Sequence, residues 1–190
     1  MNQNQLTQKE KLLLQDLKSQ EELCIKKYSK YANEVGDNVL KQLFQQLRQH
    51  EEQHLNTINQ IMTGQTPVQS SGSQQNMQAS SQQSGGQPQS WQTQPQGMQA
   101  GGQSQSGQSN QNFTPNSNFK SPNANQKDFD LVNDLLSTEK YVSGTYNTAI
   151  FEFNNTQIRQ TLNHIQKEEQ EHGELLYNYL KQNNAYPLQA

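Results

Sequence analysis

The sequence contains one cysteine, Cys24, and therefore cannot form an internal disulfide framework. It also has no apolar run near the roughly 18 residues that a membrane-spanning helix requires. Lysine and arginine number 14 against 17 aspartates and glutamates, so no basic surplus is present to neutralise nucleic-acid phosphates. The first residues lack the succession of charged, apolar and small residues that marks a signal peptide. We therefore expect a protein that is made in the cytoplasm without a signal peptide, spans no membrane and binds no nucleic acid.

Hydrophobic residues are also scarce, at 29% of the 190 residues, which is too few for one core formed by the whole chain. The scarcity is concentrated in the middle, where residues 63–126 consist mainly of Gln, Ser, Gly and Asn and carry one charge, at Lys120. The scattered apolar residues there, among them Phe113 and Phe119, are too few to form a core. Burial cannot offset the ordering entropy of such a segment, so residues 64–126 are predicted to be a disordered linker.

The two flanks of this linker have helical patterns. Thr7 and Glu10 fit a capping box ahead of an apolar run, which predicts a first helix ending near Val35. The other predicted helices run over residues 38–62, 128–153 and 156–182, with turns at residues 36–37 and 154–155. The chain thus divides into an N-terminal helical hairpin (residues 1–63), the linker (residues 64–126) and a C-terminal helical hairpin (residues 127–190).

The two flanks are also copies of one another, because a shift of 118 residues aligns them without a gap. The aligned pairs include Tyr28 with Tyr146, Glu51 with Glu169, and His54 with His172. A single hairpin exposes its apolar faces until it meets another, so two hairpins are expected to close into one bundle. The predicted fold is therefore all-α, a four-helix bundle made of two repeated hairpins that are joined by a long crossover.

Helical phase directs four glutamates towards the core of that bundle. Glu21 lies within about 40° of the apolar stripe of its helix, whereas Glu22 is about 100° away from it. Glu21 and Glu51 each stand 15 residues from Gly36, so an antiparallel hairpin places them at one level. The same relations hold in the second copy. The predicted metal ligands are Glu21, Glu51, His54, Glu139, Glu169 and His172.

Four buried carboxylates without counter-charge would be too costly, so they must share protons, admit water or bind cations. A Glu from each of two helices, plus Glu-x-x-His from each of the other two, is the ligand set of ferritin-like di-metal proteins. We therefore expect a ferritin-like bundle with two Fe or Mn ions, zinc being an alternative. Tyr28 and Tyr146 either donate hydrogen bonds to ligand carboxylates or are plain core residues. His50 and His164 are expected at the surface.

A resemblance to the coat protein F family of endospore-forming bacteria is carried by DFDLVNDLLSTEKYVSGTYNTAIFEF, followed by LNHIQKEEQEHGELLYNYLKQNNAYP. It covers about residues 127–190 and rests on the LLSTEK run, the SGTYNTA run, the acid-rich second helix and the short Tyr186-Pro187 tail. The N-terminal hairpin matches only through the internal repeat. The resemblance implies a ferritin-like helical fold, localisation in the spore coat, other coat proteins as partners, and a structural role rather than catalysis.

Two functions are compatible with these residues. The first is a structural spore coat protein, in which any metal is a staple. The alternative is a di-iron or di-manganese enzyme acting on peroxide or oxygen, similar to manganese catalase, which would use the same ligands. Gln-rich uncharged chains self-associate readily, so the linker is expected either to promote packing or cross-linking in the coat or to act as a passive spacer.

Overall fold

The computed structural model describes residues 5–65 and 112–186, and these residues form four α-helices and no strand. The helices are α1 (Gln8–Glu34), α2 (Asn38–Met62), α3 (Gln126–Glu152) and α4 (Thr156–Gln182). The prediction of an all-α fold built from two helical hairpins is confirmed. The bounds of α2 and α4 agree with the predicted ones, whereas α3 begins two residues earlier than expected. Residues 66–111 of the predicted linker lie outside the described residues.

In each hairpin, an acidic side chain near the start of the first helix accepts a backbone hydrogen bond from the turn of the other hairpin. The Glu10 carboxylate completes the predicted capping box with Thr7, and its Oε1 accepts the Asn154 N–H at 2.8 Å. The Asp128 Oδ1 accepts the Gly36 N–H at 3.1 Å. The repeat aligns Glu10 with Asp128 and Gly36 with Asn154, so the two contacts are equivalent. They place the start of each hairpin beside the turn of the other.

The helices form a bundle in which neighbours run antiparallel. Helix α1 packs on α2 and α3, and α4 packs on α3 and α2. Between α1 and α3, Lys27 Nζ lies 2.8 Å from Asp134 Oδ2. The core between the helices is built mainly from leucine, isoleucine, valine and aromatic side chains. Among the described residues, none of the helices is both long and apolar enough to cross a membrane.

Residues 112–125, which we call the strap, pack against the helices although they belong to the predicted disordered linker. Phe113 and Phe119 are 5% and 0% exposed, and their rings stack with centroids 5.5 Å apart. Gln46 of α2 binds both main-chain groups of Phe113. Gln182 and Asn183, at the C-terminal end of α4, bind the main-chain N–H and C=O of Phe119. Two buried rings and amide hydrogen bonds therefore stabilise the end of the predicted linker, residues 112–125, although its composition is polar.

The strap is also fixed to the turn of the N-terminal hairpin. Asp37, which caps α2 through the Val39 N–H, accepts hydrogen bonds from Ser121 Oγ at 2.9 Å and from Tyr179 Oη at 2.7 Å. Asp37 is 1% exposed, so these bonds offset the cost of burying its carboxylate. One carboxylate therefore joins α2, α4 and the strap.

Candidate metal centre

The six predicted ligands meet in the interior of the bundle, and none is more than 3% exposed. Helices α1 and α3 each contribute one glutamate, and α2 and α4 each contribute a Glu-x-x-His pair. Their donor atoms fall into two sets, each with all atoms within 4.8 Å of one another. The His54 set comprises Glu21, Glu51, His54 and Glu169, and the His172 set comprises Glu51, Glu139, Glu169 and His172. Glu51 and Glu169 belong to both sets.

Several of these donor atoms face a common space without forming hydrogen bonds. His172 Nδ1 lies 2.9 Å from Glu51 Oε1, yet within the described parts of the chain neither atom has a hydrogen-bond partner. The same is true of the Oε2 atoms of Glu21, Glu139 and Glu169. Buried carboxylate oxygens without a partner are costly, and a cation placed among them would satisfy them. Oxygen and imidazole donors in two overlapping sets fit a pair of divalent ions of the iron, manganese or zinc type.

Burial and close charges shift the pKa values in this cluster. Burial raises the pKa of Glu21 to about 7. Burial and the nearby Glu51 carboxylate raise the pKa of Glu169 well above its usual range. Burial disfavours the charged form of His172, but the Glu51 carboxylate outweighs it and raises the histidine pKa to about 9. Protons thus neutralise part of the cluster when no cation does so.

Two tyrosines bind ligand carboxylates across the boundary between the hairpins. Tyr28 Oη of α1 donates to Glu139 Oε1 of α3, and Tyr146 Oη of α3 donates to Glu21 Oε1 of α1. Both tyrosines are fully buried. Of the two interpretations of these residues, the structure supports the hydrogen-bonding one, and each partner lies on the opposite hairpin. Each tyrosine holds one oxygen of its glutamate and leaves the other free to face the cluster.

Two side chains beyond the six predicted ligands contact the candidate ligand histidines from outside. Glu168 Oε2 lies 3.1 Å from His54 Nε2, and His50 Nδ1 lies 3.1 Å from His172 Nε2. His50 is half-buried rather than at the surface as expected, whereas His164 is exposed as expected. Glu168 and His50 each stand four residues before a ligand histidine, and the repeat aligns them with each other. That spacing, one helical turn, places each of them near a histidine of its own helix, whereas the contacts observed run between α2 and α4.

The comparisons with known proteins match the C-terminal part of the chain. Residues 127–189 match the Coat F domain family. An uncharacterized protein, YusN, of Bacillus subtilis (strain 168) is 38% identical over 63 residues, which is 33% of this chain and 57% of that relative. The chain thus matches little more than half of the relative's length. No solved structure matches the chain. The family match covers α4 and nearly all of α3, with three of the six candidate ligands.

Proposed function

We propose that the protein is a structural component of the bacterial endospore coat, on the premise that its C-terminal hairpin matches the Coat F domain family. The observation that carries the proposal is the family match over residues 127–189, which spans a whole hairpin rather than a short motif. The repeat extends the same hairpin design to the N-terminal half of the bundle. Other coat proteins are the partners that this role implies.

Localisation provides the direct test of this role. A tagged full-length chain, produced during sporulation, is expected in the fraction released when the coats of purified spores are extracted with detergent and reductant. A tagged cytoplasmic protein of similar size serves as the control. Recovery of the chain only in the mother-cell lysate or in the spore core would contradict the proposal.

Within that role, the buried cluster holds two divalent metal ions, iron or manganese, in a ferritin-like arrangement. The His54 set and the His172 set would each hold one ion, with Glu51 and Glu169 serving both. The unpartnered buried oxygens and the donor composition support this assignment. When bound, the ions supply positive charge that offsets the four carboxylates. Since the ligands come from all four helices, metal binding would stabilise the closed bundle.

Metal analysis and thermal unfolding test the centre. The wild type, purified with Fe(II) or Mn(II), is expected to hold about two ions per chain, one for each donor set. At a free metal concentration of 100 Kd, each ion adds about 2.7 kcal/mol to the free energy of unfolding. Glu51→Gln and Glu169→Gln should lose this gain, whereas Glu52→Gln and Glu171→Gln, which alter exposed neighbours, should keep it. A wild type that binds no metal would contradict the proposal.

A peroxide-consumption assay separates a structural metal pair from a di-iron or di-manganese enzyme. For the structural role, the loaded protein should consume hydrogen peroxide no faster than the same concentration of free metal ions. Turnover that exceeds this background, and that Glu51→Gln abolishes, would instead favour the enzyme. The same protein loaded with zinc, which is redox-inert, provides the blank for peroxide consumption.

The polar linker contributes to packing or cross-linking in the coat, where its glutamine carboxamides form isopeptide bonds with lysines of other coat proteins and release ammonia. Its composition supports this idea, because uncharged Gln-rich chains self-associate readily. Deletion of residues 74–105 leaves the strap in place and should make the protein easier to extract from spores. A linker of equal length with Ser at each Gln position is the matched control for spacing. Unchanged extraction of both variants would contradict the idea and favour a passive spacer.

A further inference from the structure

A groove between α3 and α4 reaches the candidate metal centre. It has a volume of about 670 Å³, and Glu139 and Glu169 contribute to its wall. Both glutamates are 1% exposed, so they lie at its inner end. The Oε2 atoms of both residues lack a hydrogen-bond partner in the described part of the chain. The groove thus brings solvent up to two residues of the donor sets, whose unpartnered Oε2 atoms lie buried behind its wall.

Small residues line this groove where the other hairpin has large ones. Gly173 and Ser143 contribute to its wall, and the repeat aligns them with Leu55 and Ile25 of the N-terminal hairpin. A side chain would be tolerated at Gly173, because an added Cβ would lie 3.7 Å from Leu136 Cδ1, an ordinary contact. Glycine inside a helix costs roughly 0.5–1 kcal/mol relative to alanine. Neither packing nor backbone conformation explains this glycine, and its evident consequence is open space in the groove.

The wall of the groove is mixed. Polar and charged side chains, among them Lys140, Glu174, Asn178 and Lys181, alternate with Leu136 and the rings of Tyr177 and Tyr186. A water molecule occupies about 30 Å³, so the groove has room for a hydrated cation.

We propose that the α3–α4 groove is the port through which divalent cations reach the metal centre, and that Gly173 and Ser143 keep it open on the C-terminal hairpin. The inference rests on the proposed metal centre and adds the path by which that centre is filled. Since the aligned positions of the N-terminal hairpin carry Leu55 and Ile25, uptake occurs mainly from one side of the bundle.

The rate of metal uptake tests the port without any assay of activity. Metal-free full-length protein is mixed with Co(II), whose visible absorption reports ligation by carboxylate and imidazole. Gly173→Leu and Ser143→Ile, which copy the other hairpin, should each slow uptake by about tenfold, a change of about 1.4 kcal/mol in the barrier. The stoichiometry and affinity at equilibrium should stay at wild-type values. Leu55→Gly, the reverse change in the N-terminal hairpin, should not slow uptake.

The outcomes distinguish the port from the centre. A wild type that binds no Co(II) would overturn both proposals. If the wild type binds Co(II), and Gly173→Leu and Ser143→Ile take up Co(II) at the wild-type rate, the port alone would be overturned. Loss of equilibrium affinity for Co(II) in both Gly173→Leu and Ser143→Ile would also overturn the port. The groove residues would then position the metal ligands rather than admit the ion. If Gly173→Leu does not fold, Gly173→Ala provides the test and should slow uptake in the same direction.

Discussion

At the scale of single residues, the two donor sets of the candidate centre differ in the side chain that contacts the Nε2 atom of their histidine. A carboxylate, Glu168, contacts His54 Nε2, whereas an imidazole, His50, contacts His172 Nε2. A carboxylate behind a ligand histidine orients the ring and raises its basicity more than a neutral imidazole does. The two donor sets are otherwise related by the repeat. We therefore expect the two metal positions to differ in affinity, with the His54 set binding more tightly.

Replacing the outer carboxylate should weaken one position selectively. Glu168→Gln keeps the size of the side chain and removes its charge, so affinity at the tighter position should fall by about 10–100-fold. His50→Gln, which exchanges one neutral partner for another, should have a smaller effect. Calorimetric titration with Mn(II) measures both positions, and Glu171→Gln is the matched control. Two equal affinities in the wild type would contradict the expected asymmetry.

The pKa values in the cluster predict how the metal-free protein responds to pH. The pKa of Glu21 is raised to about 7 and that of His172 to about 9, so the folded state holds protons that the unfolded chain has released. Stability should therefore fall as pH rises from about 4.5 to 7 for Glu21, and from about 6.5 to 9 for His172.

Thermal unfolding of the metal-free protein between pH 5 and pH 9 measures this dependence. Glu21→Gln, which stays neutral, should remove the part of the decline below pH 7. The metal-loaded protein should behave in the opposite way, because cations compete with protons for the same atoms and bind more tightly as pH rises. A metal-free protein that gains stability across this range would contradict the assignment of buried protons.

At the scale of helices and turns, the two hairpins are held together by contacts at both ends of the bundle. Glu10 binds the Asn154 N–H of the second turn, and Asp128 binds the Gly36 N–H of the first. Both acids are buried, at 3% and 0% exposed. Glu10 also completes the capping box of α1, and Asp128 Oδ2 accepts a hydrogen bond from Asn125 Nδ2, the N-cap residue of α3. Each therefore joins a helix start to the opposite turn.

Removing these acids should destabilise the bundle in an additive way. Glu10→Ala and Asp128→Ala should each lower the free energy of unfolding by about 1–2 kcal/mol, the range for lost caps and buried hydrogen bonds. The two sites lie at opposite ends of the bundle, so the double variant should show the sum. Urea denaturation measures the effect, with Asp130→Ala, an exposed change in the same turn as Asp128, as the control. Effects no larger than in that control would show that the turn contacts contribute little.

The strap should contribute to stability as a core element does. Phe119 is fully buried, so Phe119→Ala is expected to cost about 3–5 kcal/mol, as for other large core deletions. Phe151, which is 79% exposed, provides the matched control, and Phe151→Ala should change stability by less than about 0.5 kcal/mol. Chemical denaturation measures the free energy of unfolding of both variants. Equal effects would mean that the strap is not part of the folded core.

At the scale of the whole molecule, the repeat makes each hairpin half of a bundle. The C-terminal hairpin, residues 127–190, would expose the large apolar face of α3 and α4 if it stood alone. Two copies could cover that face and would bring together two sets of Glu139, Glu169 and His172. In such a dimer Glu168 would stand behind both ligand histidines, because it takes the place of His50.

The isolated C-terminal hairpin should therefore form a homodimer. Sedimentation equilibrium should give twice the monomer mass, and metal analysis should give about two ions per dimer, by analogy with ferritin-like sites built from Glu-x-x-His pairs. The two ions should bind with equal affinity, unlike those of the full chain. Asp130→Ala in the same fragment is the control, since an exposed change should leave the dimer intact. A helical monomer at all concentrations would contradict this expectation.

The sequence by itself determined the four helices, the repeat and the inward direction of the six candidate ligands. Each of these depends on the helical period or on aligned residues, which local sequence encodes directly. Tertiary structure alone decided that Tyr28 binds Glu139, that His50 reaches His172, that the strap buries Phe119, and that a groove opens beside Gly173. These contacts join different helices or the strap. They depend on how the two hairpins face each other, and no periodic pattern within one helix records that.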